Sequence, residues 1–220
     1  MSHSRILFSV CLGAGFVLPL WGQSDAAHQA GRRSLLARAT EVSLARSAAP
    51  AEVSWQAAVY VLTDTGYALA EPGTNGVSCL VDRSRRESLE PHCFDAEGSA
   101  SVLQIRLREG ALRQQGKSVP EIDREIADAL KSGRLRLPRR PAMSYMLSAG
   151  QVLYSDEGKA VGKWQPHLMI YSPYVTAAEL GLSGPPSTRA AMVVDEGQPL
   201  ASILIVVRDF VEPAAVASKP

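Results

Sequence analysis

The chain has few cysteines, histidines and aromatic residues, and its charges nearly cancel. Its 220 residues include 3 Cys and 4 His, with 23 basic and 22 acidic side chains. This balance excludes the strongly basic surface with which nucleic-acid-binding proteins contact phosphates. The sequence also lacks the motifs of serine hydrolases, zinc proteases and phosphate-binding loops. Composition and motifs therefore predict no nucleic-acid partner, no cofactor and no metal site.

The single long apolar run lies at the N-terminus. Arg5 precedes this run, which covers residues 6–21, and small or polar residues follow at 22–27. The run is shorter than the roughly 20 residues that a membrane span needs. Residues 1–26 are therefore predicted to be a secretory signal peptide, cleaved after Gly22 or Ala26, with a retained anchor helix as the alternative. We expect an exported protein, periplasmic or secreted, without a membrane span in the mature chain.

Cysteine usage agrees with export. Removal of Cys11 with the signal peptide leaves Cys79 and Cys93, and an even number of cysteines in an oxidising compartment favours a disulfide. Two alternatives are a pair of free thiols and a metal site completed by His92 and His167. The spacing of the two cysteines matches no common zinc motif, so the disulfide is the preferred interpretation.

Periodicity and turn signals predict one α+β domain over residues 27–211, followed by a disordered tail over 212–220. Its sheet is expected to be mainly antiparallel, with a central helical pair inserted between two groups of strands. The first three strands are expected to form an antiparallel meander, and residues 156–158 a hairpin tip between the fifth and sixth strands. The predicted helices cover 32–46, 95–112, 118–133 and 176–181. The predicted strands cover 57–62, 67–70, 76–81, 143–147, 152–154, 167–171, 190–194 and 203–207.

Polar groups on the later strands provide the candidate site. His167 begins an apolar strand, while Ser144 and Tyr145 lie on another predicted strand and Tyr171 follows on the first. These four residues predict a non-catalytic domain that binds a small molecule or an envelope protein through a sheet face. The alternative function is a small hydrolase with His167 as base and Ser144 as nucleophile. A buried histidine among core side chains is the structural alternative.

Two arginine clusters suggest a second kind of site. Arg83, Arg85 and Arg86 follow one strand, and four arginines lie within residues 134–140. Either cluster could bind a carboxylate or phosphate through paired N–H groups. Solvated charged loops are the alternative, which Glu87 and Glu90 favour for the first cluster.

Several short segments, taken together in order, resemble an uncharacterised family of exported bacterial proteins. The resemblance covers about residues 41–207. No activity is established for that family, so the resemblance implies export and one domain and assigns no catalytic residue. The segments that carry it are Gly66-Tyr67, Gly73-Thr74-Asn75-Gly76, Cys79-Leu80-Val81, Met143-Ser144-Tyr145-Met146 and Pro166-His167-Leu168-Met169.

Overall fold

A computed structural model of the protein describes residues 33–85, 87–155, 157–182 and 191–215. The helices are α1 (Arg38–Arg46), α2 (Ala51–Ser54), α3 (Ala96–Ala100), α4 (Val102–Gln114) and α5 (Val119–Lys131). The strands are β1 (Ala58–Thr63), β2 (Gly66–Glu71), β3 (Ser78–Asp82), β4 (Glu90–Phe94), β5 (Ala142–Met146), β6 (Leu153–Tyr154), β7 (Ala160–Gly162), β8 (His167–Tyr171), β9 (Ala191–Val194) and β10 (Ser202–Val206).

Eight strands form one sheet in the order β2-β1-β3-β4-β5-β8-β10-β9, and β6 and β7 form a separate hairpin. Within the large sheet only β1 and β3 run parallel, whereas all other neighbours are antiparallel. The predicted α+β class with a mainly antiparallel sheet is therefore confirmed. The two long helices α4 and α5 follow β4 and precede β5, as the sequence indicates.

Helices cover both faces of the first half of the sheet. On the α1 face, α1 packs over side chains that include Val59, Cys79, Val81 and Cys93. On the opposite α4 face, Val102 and Leu103 of α4 contact Leu80 and Phe94. Successive side chains of a strand point to opposite faces, so odd-numbered residues of β3 and β4 lie on the α1 face and even-numbered residues on the α4 face.

Helix α5 forms the outer layer on the α4 side. Ser118 and Glu121 make the two reciprocal bonds of a capping box at its start, which satisfy backbone N–H groups that have no partner within the helix. Ile122 and Ile126 then pack with Ile105 and Leu112 of α4. The local signals in this segment and its apolar stripe agree, and the predicted helix is confirmed.

The predicted three-strand meander is wrong. β3 pairs with β1 in the parallel sense, so β1 lies between β2 and β3. The connection from β2 passes so close to the start of β1 that a Cβ atom added at Gly73 would lie 2.1 Å from the Ala58 nitrogen. This crossing places β3, whose five residues are all buried, inside the sheet rather than at its edge.

Other boundaries also differ from expectation. The chain enters α1 only at Arg38, and Arg33, which was expected in the helix, bonds to Gln114 and to the Arg83 carbonyl. The predicted helix over 95–112 is two helices that are interrupted at Ser101. Residues 176–181 form turns, and β6 pairs with β7 rather than with β8, so the predicted partner of this hairpin is wrong. Position 156 of its predicted tip lies outside the described residues.

The C-terminal segment runs back along α1. Val211 bridges to Ser148, and the Ser43 hydroxyl donates to the Ala214 carbonyl at 2.6 Å. Residues 212–215 of the expected tail over 212–220 are within the described ranges and form neither helix nor strand, whereas residues 216–220 and the expected signal peptide lie outside them. None of the helices in the described ranges is long and apolar enough to cross a bilayer.

Candidate functional site

The structure brings three of the four predicted site residues to one face. Ser144, His167 and Tyr171 lie on the α4 face. Ser144 pairs with Met169, and Met169 is two residues from both His167 and Tyr171 on β8, so all of them share that face. Tyr145 points to the α1 face and packs against the core there. His167, Ser144 and Tyr171 are 3%, 0% and 1% exposed, so they stabilise the fold from inside and do not offer a surface to a ligand.

Ser144 and His167 form separate interactions. The Ser144 hydroxyl lies 3.4 Å from the Tyr171 hydroxyl, whereas His167 Nδ1 lies 2.6 Å from the Gln165 carbonyl oxygen. Burial lowers the pKa of His167, although its backbone bond opposes this effect. Burial also raises the pKa of Tyr171. A serine nucleophile needs a base within hydrogen-bond reach and access to substrate, and Ser144 has neither in this arrangement.

The two cysteines form the expected disulfide. Cys79 and Cys93 are directly opposite each other on β3 and β4 and are bonded across the α1 face. His92 points to the α4 face and stacks on Phe94, with ring centroids 5.4 Å apart. The alternative cluster of both cysteines with His92 and His167 is therefore not assembled. Among the described residues, no group of three or more metal-ligating side chains is close enough to hold an ion.

Several arginines of the two clusters form ion pairs with carboxylates of the protein. Arg83 is 1% exposed and pairs with buried Glu41 at 3.3 Å. In the second cluster, Arg136 and Arg140 approach opposite oxygens of Glu97 at 2.5 and 3.5 Å. Arg86 lies outside the described residues.

A cleft opens at the end of two central strands of the sheet, where β3 ends and β4 begins. It has a volume of about 420 Å³, and we name it the Glu90 cleft. One wall is aromatic and apolar, with Trp164 53% exposed and Val161 61% exposed. The cleft is lined by Ser84, Arg85, Ser88, Glu90, Leu153, Tyr154, Ser155, Glu157, Val161 and Trp164.

The β6–β7 hairpin is fixed to the sheet beside this cleft by backbone bonds. Leu89 and Val152 exchange two N–H···O bonds of 2.8 and 2.9 Å, and the Tyr154 N–H donates to the Ser88 hydroxyl at 3.0 Å. The Gln151 amide donates to the Trp164 carbonyl at 2.9 Å. These bonds fix the main chain at Tyr154 and Trp164, whose side chains line the cleft.

Glu90, which lines the cleft, and its neighbour Asp82, which does not, lie in different electrostatic environments. Asp82 and Glu90 are cross-strand partners. Burial alone would raise the pKa of Asp82, but Arg113 and Arg106 outweigh it and lower this pKa to about 2. Burial raises the pKa of Glu90, and the charge of Asp82 raises it further. Separated pKa values of this kind occur at functional sites, where one carboxyl is kept ionised and the other accepts a proton more readily.

Hydroxyl groups complete the polar side of the cleft. The Ser84 hydroxyl donates a short bond to Glu90, which fixes one carboxyl oxygen. At the mouth, bonding to the Ser155 hydroxyl lowers the pKa of Glu157, which is therefore ionised at neutral pH. Arg85 lines the same cleft and brings the opposite charge. The site thus combines acids, hydroxyls and one guanidinium with a flat aromatic wall.

Neither Trp164 nor Glu90 is predicted to be functional from the sequence. Trp164 directly precedes the Gln165-Pro166-His167 segment, but its 53% exposure is visible only in the structure. In the sequence, Glu90 indicates only a neutralising charge near Arg85 and Arg86. A tryptophan next to a proline-bounded strand start is the one signal that the sequence offered.

Comparisons of the chain with protein-family models, with curated proteins and with solved structures found no match.

Proposed function

We propose that this protein is a non-catalytic binding protein that holds a neutral, hydroxyl-rich ring, a saccharide, in the Glu90 cleft. The observation that carries the proposal is the pairing of an exposed tryptophan wall with a buried carboxyl group. Trp164 is half-exposed at the mouth, while Glu90 is buried at the base with one oxygen held by Ser84. Large exposed aromatic side chains in pre-formed clefts commonly provide most of the binding energy.

The aromatic wall suits one side of a sugar ring. The C–H groups of a pyranose form a flat apolar surface, which gains dispersion and hydrophobic contact when it stacks on the rings of Trp164 or Tyr154. The side chains of Gln151 and Ser88 bond to the main chain of Trp164 and Tyr154, so little backbone entropy is lost at these residues on binding.

The polar wall suits the other side of the ring. A carboxylate accepts hydrogen bonds from hydroxyl groups, and such charge-assisted bonds are roughly twice as strong as neutral ones. Glu90 and Glu157 would accept from the ligand, whereas Arg85 brings N–H donors. Because both signs of charge line the cleft, a neutral ligand avoids burying an uncompensated charge.

The arrangement favours binding over the hydrolase alternative. Ser144 is fully buried and its hydroxyl neighbours Tyr171 rather than His167. His167 contributes indirectly, since its bond to the Gln165 carbonyl fixes the bend of the chain that follows Trp164.

The test uses calorimetric titration of the purified protein with chitotetraose, cellotetraose and maltotetraose. We expect one of them to bind and Trp164→Ala to weaken its binding about tenfold or more, which corresponds to about 1.4 kcal/mol. Trp55→Ala is the matched control, because Trp55 is 77% exposed and lies outside the cleft. Absence of binding to all three sugars, or equal binding by Trp164→Ala, would contradict the proposal.

Export to the cell envelope or beyond is part of the same proposal. Oxidised Cys79 and Cys93 support it, because disulfides persist in oxidising compartments and are rare in the cytosol. The intact mass of protein purified from the envelope of a bacterial host should correspond to a chain that begins at Gln23 or Ala27. A full-length mass from the cytosol would contradict this part.

A further inference from the structure

A second groove shares no lining residue with the Glu90 cleft. Two adjoining clefts, of about 570 and 380 Å³, share Ala127, Leu130 and Pro199 as lining residues. Together they form a continuous depression between α5 and the turn at residues 195–200, which we name the α5 groove. Its size is in the range of specific ligand sites.

The middle of the α5 groove is apolar, and its ends carry opposite charges. Asp123 and Asp195 line one end, and Lys131 lines the other. Asp123, Ala127 and Lys131 are four residues apart along α5, so they share one face of the helix. The rise of a helix places Asp123 and Lys131 about 12 Å apart.

Backbone strain is concentrated on the wall opposite α5. Within the described ranges, only two residues other than glycine have a positive φ, Tyr174 at 65° and Asp195 at 53°, and both line the α5 groove. Tyr174 donates its N–H to the Gln198 carbonyl at 3.0 Å, which ties its turn to the opposite one. Its side chain is nevertheless 56% exposed. A bulky residue held in this conformation without burying its ring points to a function for that ring.

We propose that the α5 groove binds an extended peptide segment of a partner protein. A basic residue of the segment would lie at Asp123 and Asp195, apolar residues at Leu130 and Tyr174, and an acidic residue at Lys131. A span of about 12 Å corresponds to about four extended residues, enough to place one charge at each end of an apolar centre. The ordered opposite charges select this occupant over a uniformly apolar or singly charged one.

The test measures fluorescence anisotropy of three labelled pentapeptides with blocked ends and a shared Leu-Pro-Leu centre. Their terminal residues are Lys with Glu, Lys with Lys, and Glu with Glu. We expect the mixed peptide to bind wild-type protein about fivefold more tightly than either of the others, since each correct exposed ion pair contributes modestly.

Two variants separate recognition from folding. Arg136 lines the same end as Lys131, but Glu97 pairs with it at 2.5 Å and offsets its charge. Lys131→Glu therefore reverses the charge presented at this end, so the peptide with two lysines should become the preferred one. Tyr174→Gly removes the aromatic ring but tolerates the positive φ, so the fold should persist while all three peptides bind more weakly. Trp164→Ala is the control and should leave the ranking of peptides unchanged, because Trp164 lies in the other cleft.

Three results would overturn the proposal. They are the absence of binding by all three peptides, an unchanged ranking in Lys131→Glu, and binding by folded Tyr174→Gly equal to that of wild type. Circular dichroism of each variant verifies that it is folded before binding is interpreted.

Discussion

Replacement of Asp82 by asparagine should destabilise the protein in a way that depends on pH. Asp82 lies 3.6 Å from Arg106 and 3.5 Å from Arg113, and both arginines also pair with Glu109. These four side chains connect α4 to the end of β3. Asparagine keeps the shape of the side chain and its bond from the Arg83 N–H, but it removes the charge that the two arginines face.

The magnitude follows from the pKa of Asp82, which falls from 3.8 to about 2 in the folded protein. A lowered carboxyl pKa stabilises the fold above the unfolded value and loses this effect as the pH falls through the folded value. The difference corresponds to about 2 kcal/mol at pH 7 and about half of that at pH 3. Asp82 is 3% exposed, so solvent screening reduces this figure little.

Urea unfolding of wild type and Asp82→Asn at pH 7 and pH 3 measures both values. Asp128→Asn is the control, because its carboxyl group is exposed and should change stability by less than about 0.5 kcal/mol. Asp82→Asn should also lower the pKa of Glu90, because the Glu90 carboxyl group no longer faces a negative neighbour. A penalty independent of pH, together with an unchanged Glu90 titration by NMR, would refute the electrostatic coupling.

Two further predictions concern the layers on either side of β3 and β4. Replacement of both Cys79 and Cys93 by serine should lower the free energy of unfolding by about 3 kcal/mol. The reason is that the disulfide links residues 14 positions apart and so restricts the unfolded chain. Equal urea midpoints for variant and wild type would contradict this prediction. Burial lowers the pKa of His92 to about 3, so wild type should lose up to about 1.4 kcal/mol per pH unit as the pH falls from 6.5 towards 3. His92→Phe should remove this part of the slope in urea unfolding across that range, and an unchanged slope would contradict the burial of a neutral imidazole.

Sequence patterns predicted what depends on neighbouring residues. The capping box at Ser118 and Glu121 identifies α5, and its side-chain bonds form as expected. The helix predicted to begin at residue 95 is capped there, because the Asp95 carboxylate accepts the Gly98 N–H at 2.7 Å. The disulfide is predicted from an even number of cysteines in an oxidising compartment. It is confirmed, and the two cysteines lie directly opposite each other on β3 and β4.

Sequence patterns did not predict how distant segments cross. Short turns favoured a meander, but the close approach of Gly73 to Ala58 lets the chain cross the start of β1 and insert β3 into the sheet. Gly110 shows the same limit, because a Cβ atom there would lie 2.5 Å from the ring of Tyr67. A glycine required for packing between elements looks, in the sequence, like one that merely weakens a helix.

His167, which the sequence singles out, is buried next to the proposed site, whereas Trp164 three residues earlier lines the Glu90 cleft. Strand β8 begins at His167, whose imidazole is buried and bonded to the Gln165 carbonyl, and this bond fixes the bend that precedes the strand. Trp164 lies just before the bend, its carbonyl accepts a bond from the Gln151 amide, and it lines the Glu90 cleft. A change at His167 should therefore weaken binding by displacing Trp164 rather than by removing a ligand contact. In the proposed site His167 is a positioning residue, whereas the groups that would touch a ligand are Trp164 in the adjoining loop and Tyr154 and Glu90 on other strands.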